Sequence, residues 1–558
     1  MPLGSGVLGL PATDDGFFPL FARHAAASPQ RVFAHIGGRA LTFDALLKRS
    51  AVLAAWLSDN GVRAGDRVAL MLRNGEAALS MMLAIARSGA VWVPVNTHAL
   101  GDNLAYVLTH AEPRLVIAEP DLVPALAGCG GDLALPIVEA GWLPQGGRPN
   151  GDLTKMASAD APFAIMYTSG TTGRPKGVLV SHRMLRLAGE AAALVAAAQD
   201  GDVLYVWEPL FHIGGAQMIV LPLIRNVTLV IAERFHAAHF WADLKACGAT
   251  HMHFLGGILQ ILLKQPPGPL DRGHGVRIAW GGGCPLQAWR PFEARFGVKI
   301  HECYGMTECS SVTTANLDGP VGAVGKPIPW FDVNLVDAAG SAVATGERGE
   351  IVVRERLPGA LTQGYFKDPD ATAHALRGGA FHSGDLASAD ADGNLYFHGR
   401  MADSVRVRGE NVAAAEVEGV AAAHPAVEAC AMIGVAADVG EAEIKLFVQL
   451  KPGANTTPRA LSAWLAGKLA PYQRPRYLAF VDGFERTPSQ RIIKHALSQR
   501  TDDAFDASRA AAGQGRADPA GGCCRGAASA SQTDRRGLAP LRRRPHRRRR
   551  RSASKGCA

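Results

Sequence analysis

The feature that most limits this chain's fold is a repeated alternation between helical and strand-like apolar periods. Residues 41–61, LTFDALLKRSAVLAAWLSDNG, place Leu46, Leu53 and Leu57 on one helical face, and the following DRVALML reads as a buried strand. The unit repeats in GEAALSMMLAIARSG and AVWVPV. PRLVIAE, DVLYVWE, VTLVIAE, VRIAWGG and VKIHECYG add further short apolar runs. Such alternation predicts α/β layers with largely parallel strands. At 558 residues the chain exceeds what one core uses, so several units are expected.

The character changes near Gly399, where GRMADSVRVRG forms a polar, glycine-bounded connector. A compact pattern of helix, strands, helix and strand then runs to about Leu497. The expected partition is residues 1–398, residues 399–500, and an arginine-rich tail over 501–558. The tail has almost no aliphatic periodicity and is expected to be disordered. It also explains the net charge of +8. Its 13 Arg and one Lys oppose five Asp, a net of +9, which leaves the body at −1. The basic balance of the whole chain therefore implies no specific nucleic-acid partner, although arginine clusters attract phosphate without selectivity. Cys129, Cys247, Cys284, Cys303, Cys309 and Cys430 are scattered without zinc-like spacing, and the N-terminus lacks a secretory pattern. The most apolar run, Ala77 to Val95, is interrupted by Arg87 and Ser88, so no membrane span and a cytoplasmic setting are expected.

The most specific element is Tyr167-Thr168-Ser169-Gly170-Thr171-Thr172-Gly173-Arg174-Pro175-Lys176-Gly177, which follows the apolar run FAIM. Glycines allow close backbone approach to an anion, hydroxyls add donors without bulk, and Lys176 supplies a mobile positive charge. The pattern predicts a polyphosphate cradle. It differs from the GTPase loop, which requires glycine before lysine. A flexible linker would lack the preceding buried strand and the embedded Pro-Lys-Gly.

On this loop and on later motifs in matching order, the chain resembles the adenylate-forming superfamily of acyl- and aryl-CoA synthetases, peptide adenylation domains and luciferase, over about residues 15 to 500. The resemblance implies a large N-terminal domain of layered α/β subdomains with mixed sheets, and a small mobile α+β C-terminal domain. It implies that Thr168, Ser169, Gly170, Thr171, Thr172 and Gly173 bind ATP phosphates. Pro209-Leu210-Phe211-His212-Ile213-Gly214-Gly215 looks like the motif in which His212 orients the substrate carboxylate. Gly282, Gly283 and Cys284 are similar to the adenine wall. Tyr304-Gly305-Met306-Thr307-Glu308 resembles a signature placing Tyr304 and Gly305 at the adenine, Thr307 at the α-phosphate and Glu308 on magnesium. Asp385, in His382-Ser383-Gly384-Asp385, and Arg400 match ribose contacts, Asp403 the hinge, and Arg408 and Gly409 the coenzyme A loop.

One departure stands out. The family's adenylation lysine aligns with Arg491 in Arg486-Thr487-Pro488-Ser489-Gln490-Arg491, with Lys494 three residues on; Arg491 is the preferred stand-in. The implied activity is an acid:CoA ligase using ATP, Mg2+ and coenzyme A on a small carboxylic acid. Loading of a carrier-protein thiol, or nucleotide binding with impaired adenylation, are the alternatives. The acyl pocket is expected between Gly214–Met218, His253–Ile258, Gly281–Gly283 and Gly305–Val312, mostly small or apolar, for a medium, relatively unpolar acid. HFLGGILQILLKQPP resembles the carnitine- and bile-acid-type branch. His251 and His253 share a strand face, but no third metal ligand accompanies them.

Overall fold

The computed structural model describes residues 16–508 apart from 128, 130–134, 148–156, 169–173, 402–403, 408–409, 437–441 and 488–490. The periodic segments fold as their patterns require. The helix Phe43–Asp59 starts at Thr42, whose hydroxyl accepts from the Ala45 N–H, and it buries Leu46, Leu53 and Leu57. The helix Glu76–Ser88 ends at Gly89 in the left-handed conformation, which leads directly into the strand Val91–Pro94.

Two large sheets dominate the N-terminal part. One has six strands in the order Ile137–Glu139, Leu115–Ala118, Arg67–Met71, Val91–Pro94, Pro162–Thr168 and Lys176–Ser181. Its neighbours pair in parallel except the last two, which pair antiparallel with Thr168 opposite Lys176. The phosphate-loop motif thus joins the strands of a hairpin, unlike the strand-to-helix turn of the GTPase loop.

The second sheet has nine strands. Its centre runs Lys299–Tyr304, Ile278–Gly282, His251–Leu255, Val203–Val206, Thr228–Ile231 and Val32–Ile36, all parallel. A third sheet, built on Phe331–Val336, Gly349–Glu355, Ala380–Ala389 and Leu395–Arg400, is wholly antiparallel. The expectation of largely parallel strands holds for the first two sheets and fails for this one, where the chain returns antiparallel even across the longer connection that holds the helix Pro369–Ala375.

The helix His182–Val195 is buried on nearly every face and contributes to the core shared by the first two sheets. The smaller C-terminal domain has its own core around Val412, Val417, Ile444, Leu446, Leu461 and Leu478. Its four-stranded sheet orders Val427–Val435, Glu443–Leu450, Tyr477–Val481 and Phe505–Asp506. The last strand lies past residue 500, the limit read from the sequence, because its period is too short to register. Lys445 is fully buried in this domain and donates to the carbonyls of Ser498 and Arg500 and to Asp503. Residues 509–558 of the tail lie outside the described residues. Among those described, no helix is long and apolar enough to cross a membrane.

Close helix packing yields a first prediction. A Cβ on Gly189 would stand 2.4 Å from Val220 Cβ. Gly189→Ala gains about 1 kcal/mol of helix propensity, but overpacking at a rigid branch point costs roughly 1–3 kcal/mol. The clash should win and lower the apparent melting temperature; an unchanged or raised value would show that the contact relaxes freely.

Candidate active site

The C-terminal ends of parallel strands carry most of the motif residues. The strand Ile278–Gly282 delivers Gly282, Gly283 and Cys284, and the strand Lys299–Tyr304 delivers Tyr304 and Gly305. Backbone crowding dictates the glycines here: a Cβ on Gly281 would lie 1.8 Å from the Phe254 carbonyl oxygen, and one on Gly305 1.9 Å from that of Ser311. Any larger residue would push these strand ends apart.

Glu302, which the sequence reading passed over, holds the Gly283 turn. Its carboxylate accepts from the Gly283 N–H at 2.6 Å and from the Cys284 N–H at 3.1 Å. Burial pushes its pKa up to about 8, against the opposing pull of the Cys284 and Gly283 N–H groups. An acidic residue inside the apolar run VKIHECYG was the available signal.

Tyr304 donates its hydroxyl to Asp385 Oδ2 at 2.7 Å, and Arg400 Nε lies 3.3 Å from Asp385 Oδ1. Asp385, only 3% exposed on the strand Ala380–Ala389, therefore links the second and third sheets. Thr307 and Glu308 follow in a short 3-10 turn, both buried. Burial raises the pKa of Glu308. Its Oε1 accepts from the Tyr365 hydroxyl at 3.0 Å, and Lys176 Nζ stands 5.0 Å from the centre of the Tyr365 ring. Tyr365 thus joins the loop lysine to the buried carboxylate. It too went unread in the sequence, where Gly364-Tyr365 lies in a loop without apolar period.

His212 begins the short helix Ile213–Ala216. Its pKa is lowered chiefly by burial, with Glu208 raising it and Arg491 lowering it further, so the ring is neutral at pH 7. Nε2 is buried with no hydrogen-bond partner among the described residues.

Arg491 stands in a tight hairpin in which its N–H donates to Thr487 Oγ1 and its carbonyl accepts from the Thr487 N–H. The residue is exposed to solvent. Its pKa is lowered by desolvation and then by Arg400, and is held up by Asp385 and Glu208. Lys494 is instead paired with Glu418 at 2.9 Å, within its own domain.

The structure thus gathers Lys176, Thr307 and Glu308 around Tyr365, and Tyr304, Asp385, Arg400, Arg491 and His212 around a second focus. Ser169, Gly170, Thr171, Thr172, Gly173, Asp403, Arg408 and Gly409 lie outside the described residues. His251 is tied to the Ala196 carbonyl and Thr250, and no group of three or more His, Cys, Asp or Glu that could hold a metal occurs among the described residues.

A hairpin that presents Lys176, a glycine-walled strand end and a buried tyrosine–aspartate pair faced by Arg400 lie in an α/β chain with a second, smaller domain. The chain belongs to the AMP-binding enzyme family: the family model matches residues 21–366, and that of the AMP-binding enzyme C-terminal domain matches residues 416–491. It is 34% identical over 506 residues to a feruloyl-CoA synthase of Amycolatopsis sp, covering 86% of this chain and 97% of the relative. It is 30% identical to a sulfoacetate–CoA ligase of Cupriavidus necator, covering 87% and 98%. The ATP-bound crystal structure of MatB from Rhodopseudomonas palustris superposes with a TM-score of 0.78 at 27% identity, covering 86% of this chain and 98% of that one.

The Glu302 carboxyl generates a pH prediction. Its folded-state pKa of about 8 exceeds the ordinary value of 4.5, so its contribution is fully present below about 4.5 and is lost as pH rises towards 8. Compared with Glu302→Gln, the wild-type chain should lose stability between pH 5 and 8, by at most about 1.4 kcal/mol per pH unit, read as a falling apparent melting temperature. A constant difference across that range would mean that the backbone N–H groups keep Glu302 ionised throughout.

Proposed function

We propose that this chain is an acid:CoA ligase that converts a carboxylic acid and ATP into an acyl-adenylate and then into an acyl-CoA thioester. Adenylate-forming CoA ligases use ATP and coenzyme A, and the relatives matched over most of this chain carry that activity in their names. The observation that carries the reading is the position of Arg491. From the C-terminal domain it enters the field of His212 and Asp385 of the large domain and of Arg400 just past the expected boundary.

In the first step a substrate carboxylate oxygen attacks the α-phosphorus of ATP, and the bond from that phosphorus to the pyrophosphate oxygen breaks. Tyr304 and the Gly282–Cys284 turn would border the adenine, with Gly305 letting the chain turn tightly beneath it. Asp385 and Arg400 would meet the ribose hydroxyls, because an ionised carboxylate accepts from both donors of a diol. Lys176, Thr307 and the loop from Thr168 to Gly173 would hold the phosphates. Neutral His212 would donate a ring N–H to the attacking carboxylate without trapping it as a salt. Arg491 would offset charge developing between carboxylate and α-phosphate.

Glu308 suits a magnesium ion held mainly by phosphate oxygens and water, since it offers a buried carboxylate and no group of three or more potential metal ligands accompanies it among the described residues. When bound, the ion supplies charge neutralisation at the phosphates. In the second step the coenzyme A sulfur attacks the acyl carbon and AMP leaves. The assignments of Asp403 as hinge, of Arg408 and Gly409 to the thiol's path, and of residues from 399 as a mobile domain belong to this step.

The test is AMP release from Mg-ATP with short, medium, long, aromatic and polar acids, each with and without coenzyme A. Sustained release is expected with a particular acid class and only when coenzyme A is present. Arg491→Ala should slow adenylation by about 100-fold, while thioester formation from preformed acyl-adenylate stays within a few-fold of wild type. If no acid yields AMP until Arg491→Lys is introduced, the chain is a nucleotide binder with impaired adenylation.

A further inference from the structure

The acyl side of the site contains a buried carboxylate that the steps above do not employ. Glu208 immediately precedes the motif bearing His212, and 3% of its surface is exposed. Asn74 fixes its backbone, donating to the Glu208 carbonyl at 2.9 Å while accepting from the Leu210 N–H at 2.8 Å. The side chain turns towards Gly214, where a Cβ would stand 2.5 Å from Oε1 and 2.7 Å from Oε2.

Glu208 Oε2 lies 2.9 Å from His253 Nδ1, but neither atom makes an aligned hydrogen bond with a described residue. His253 is 3% exposed, and its ring meets Trp280 edge-on at 4.6 Å. The same strand end continues into Gly256 and Gly257, where an added Cβ would meet no atom within 4 Å. The charge of Glu208 also reaches His212 and Arg491. This carboxylate therefore sits in the field of the proposed carboxylate-orienting residue, in the region expected to hold the acyl group.

A carboxylate oxygen such as Glu208 Oε2, buried without an aligned donor, destabilises the fold unless something supplies one. Hydrocarbon cannot do so, and a second anion would face like charge in a poorly screened setting. A hydroxyl or amine on the acyl group can.

We propose that Glu208 and His253 select the substrate, and that the acid this ligase activates bears an O–H or N–H donor on its acyl part. The proposal rests on the ligase reading and revises the expectation of an unpolar acid. His253 borders Glu208 Oε2, the oxygen that accepts from the substrate donor. Acids with a second carboxylate or a sulfonate in that place are rejected.

The test measures kcat/KM for AMP release with length-matched acids: butanoate, 4-hydroxybutanoate, 4-aminobutanoate and succinate, and likewise benzoate, 4-hydroxybenzoate, 4-aminobenzoate and terephthalate. Wild type should prefer a donor-bearing member over its plain counterpart by at least tenfold, and should turn over the diacids least. Glu208→Leu should bring the donor-to-plain ratio close to one, mainly through KM of the donor-bearing acid. Glu208→Gln and His253→Gln, which preserve side-chain volume more closely, should lower the ratio in the same direction if the leucine variant does not fold. A wild-type ratio near one, or a ratio unmoved in the folded variants, overturns the proposal and leaves the ligase intact. An equal fall in kcat for every acid would assign Glu208 to positioning Arg491, and overturns it as well. AMP release with no acid at all would remove the ligase reading itself.

Discussion

Four carboxylates, Glu208, Glu302, Glu308 and Asp385, are buried where the sheets of the large domain converge, and the site is organised around matching them. A carboxyl withdrawn from water, ionised or not, is costly unless hydrogen-bond partners replace the lost hydration. Three find different solutions, and the fourth is left open. Glu302 takes backbone N–H groups and so fixes a turn; Glu308 takes a tyrosine hydroxyl; Asp385 takes another and faces an arginine; Glu208 faces a histidine without an aligned bond. The partners come from distant parts of the sequence, so satisfying the charges also sets the spacing between sheets. Packing alone would hold these layers together without fixing the register of the site.

The same arrangement explains how arginine can stand where the family carries lysine. A lysine ammonium is a compact charge on a flexible stem, whereas guanidinium is planar and keeps its proton even when desolvated. Arg491 lies near Asp385 and Glu208 and against the repulsion of Arg400. Desolvation and Arg400 outweigh the pull of the two carboxylates on its charge, a balance that an anion arriving between Arg491 and Arg400 would reverse. Lys494 cannot take that place while it is committed to Glu418.

Much of the fold was legible because helical and strand periods leave a strong trace over ten or more residues. The helices at 43–59 and 76–88 and the strands beside them stand where the pattern put them. Motif spacing likewise located Tyr304, Asp385 and Arg400, which the structure brings into contact. What remained hidden depends on contacts between segments far apart in the chain. Glu302 looks like a polar interruption of a strand until the Gly283 turn folds over it. Tyr365 is featureless until its hydroxyl meets Glu308, and Glu208 is one more acid at a strand end until Gly214 and His253 close around it. The antiparallel third sheet escaped for a related reason, since pairing direction is set by connections and not by composition.

The buried lysine of the C-terminal domain bears on how far the polypeptide must be made. Lys445 has its ammonium matched by two carbonyls and by Asp503, and Phe505–Asp506 covers the open edge of the neighbouring strand. A ribosome that terminated just after Arg500 would release a protein with every proposed catalytic side chain present. That protein would nevertheless carry an ammonium stripped of its counter-ion and an uncapped strand able to recruit a neighbour. Premature termination there would accordingly surface as insolubility, before any defect in chemistry could be seen.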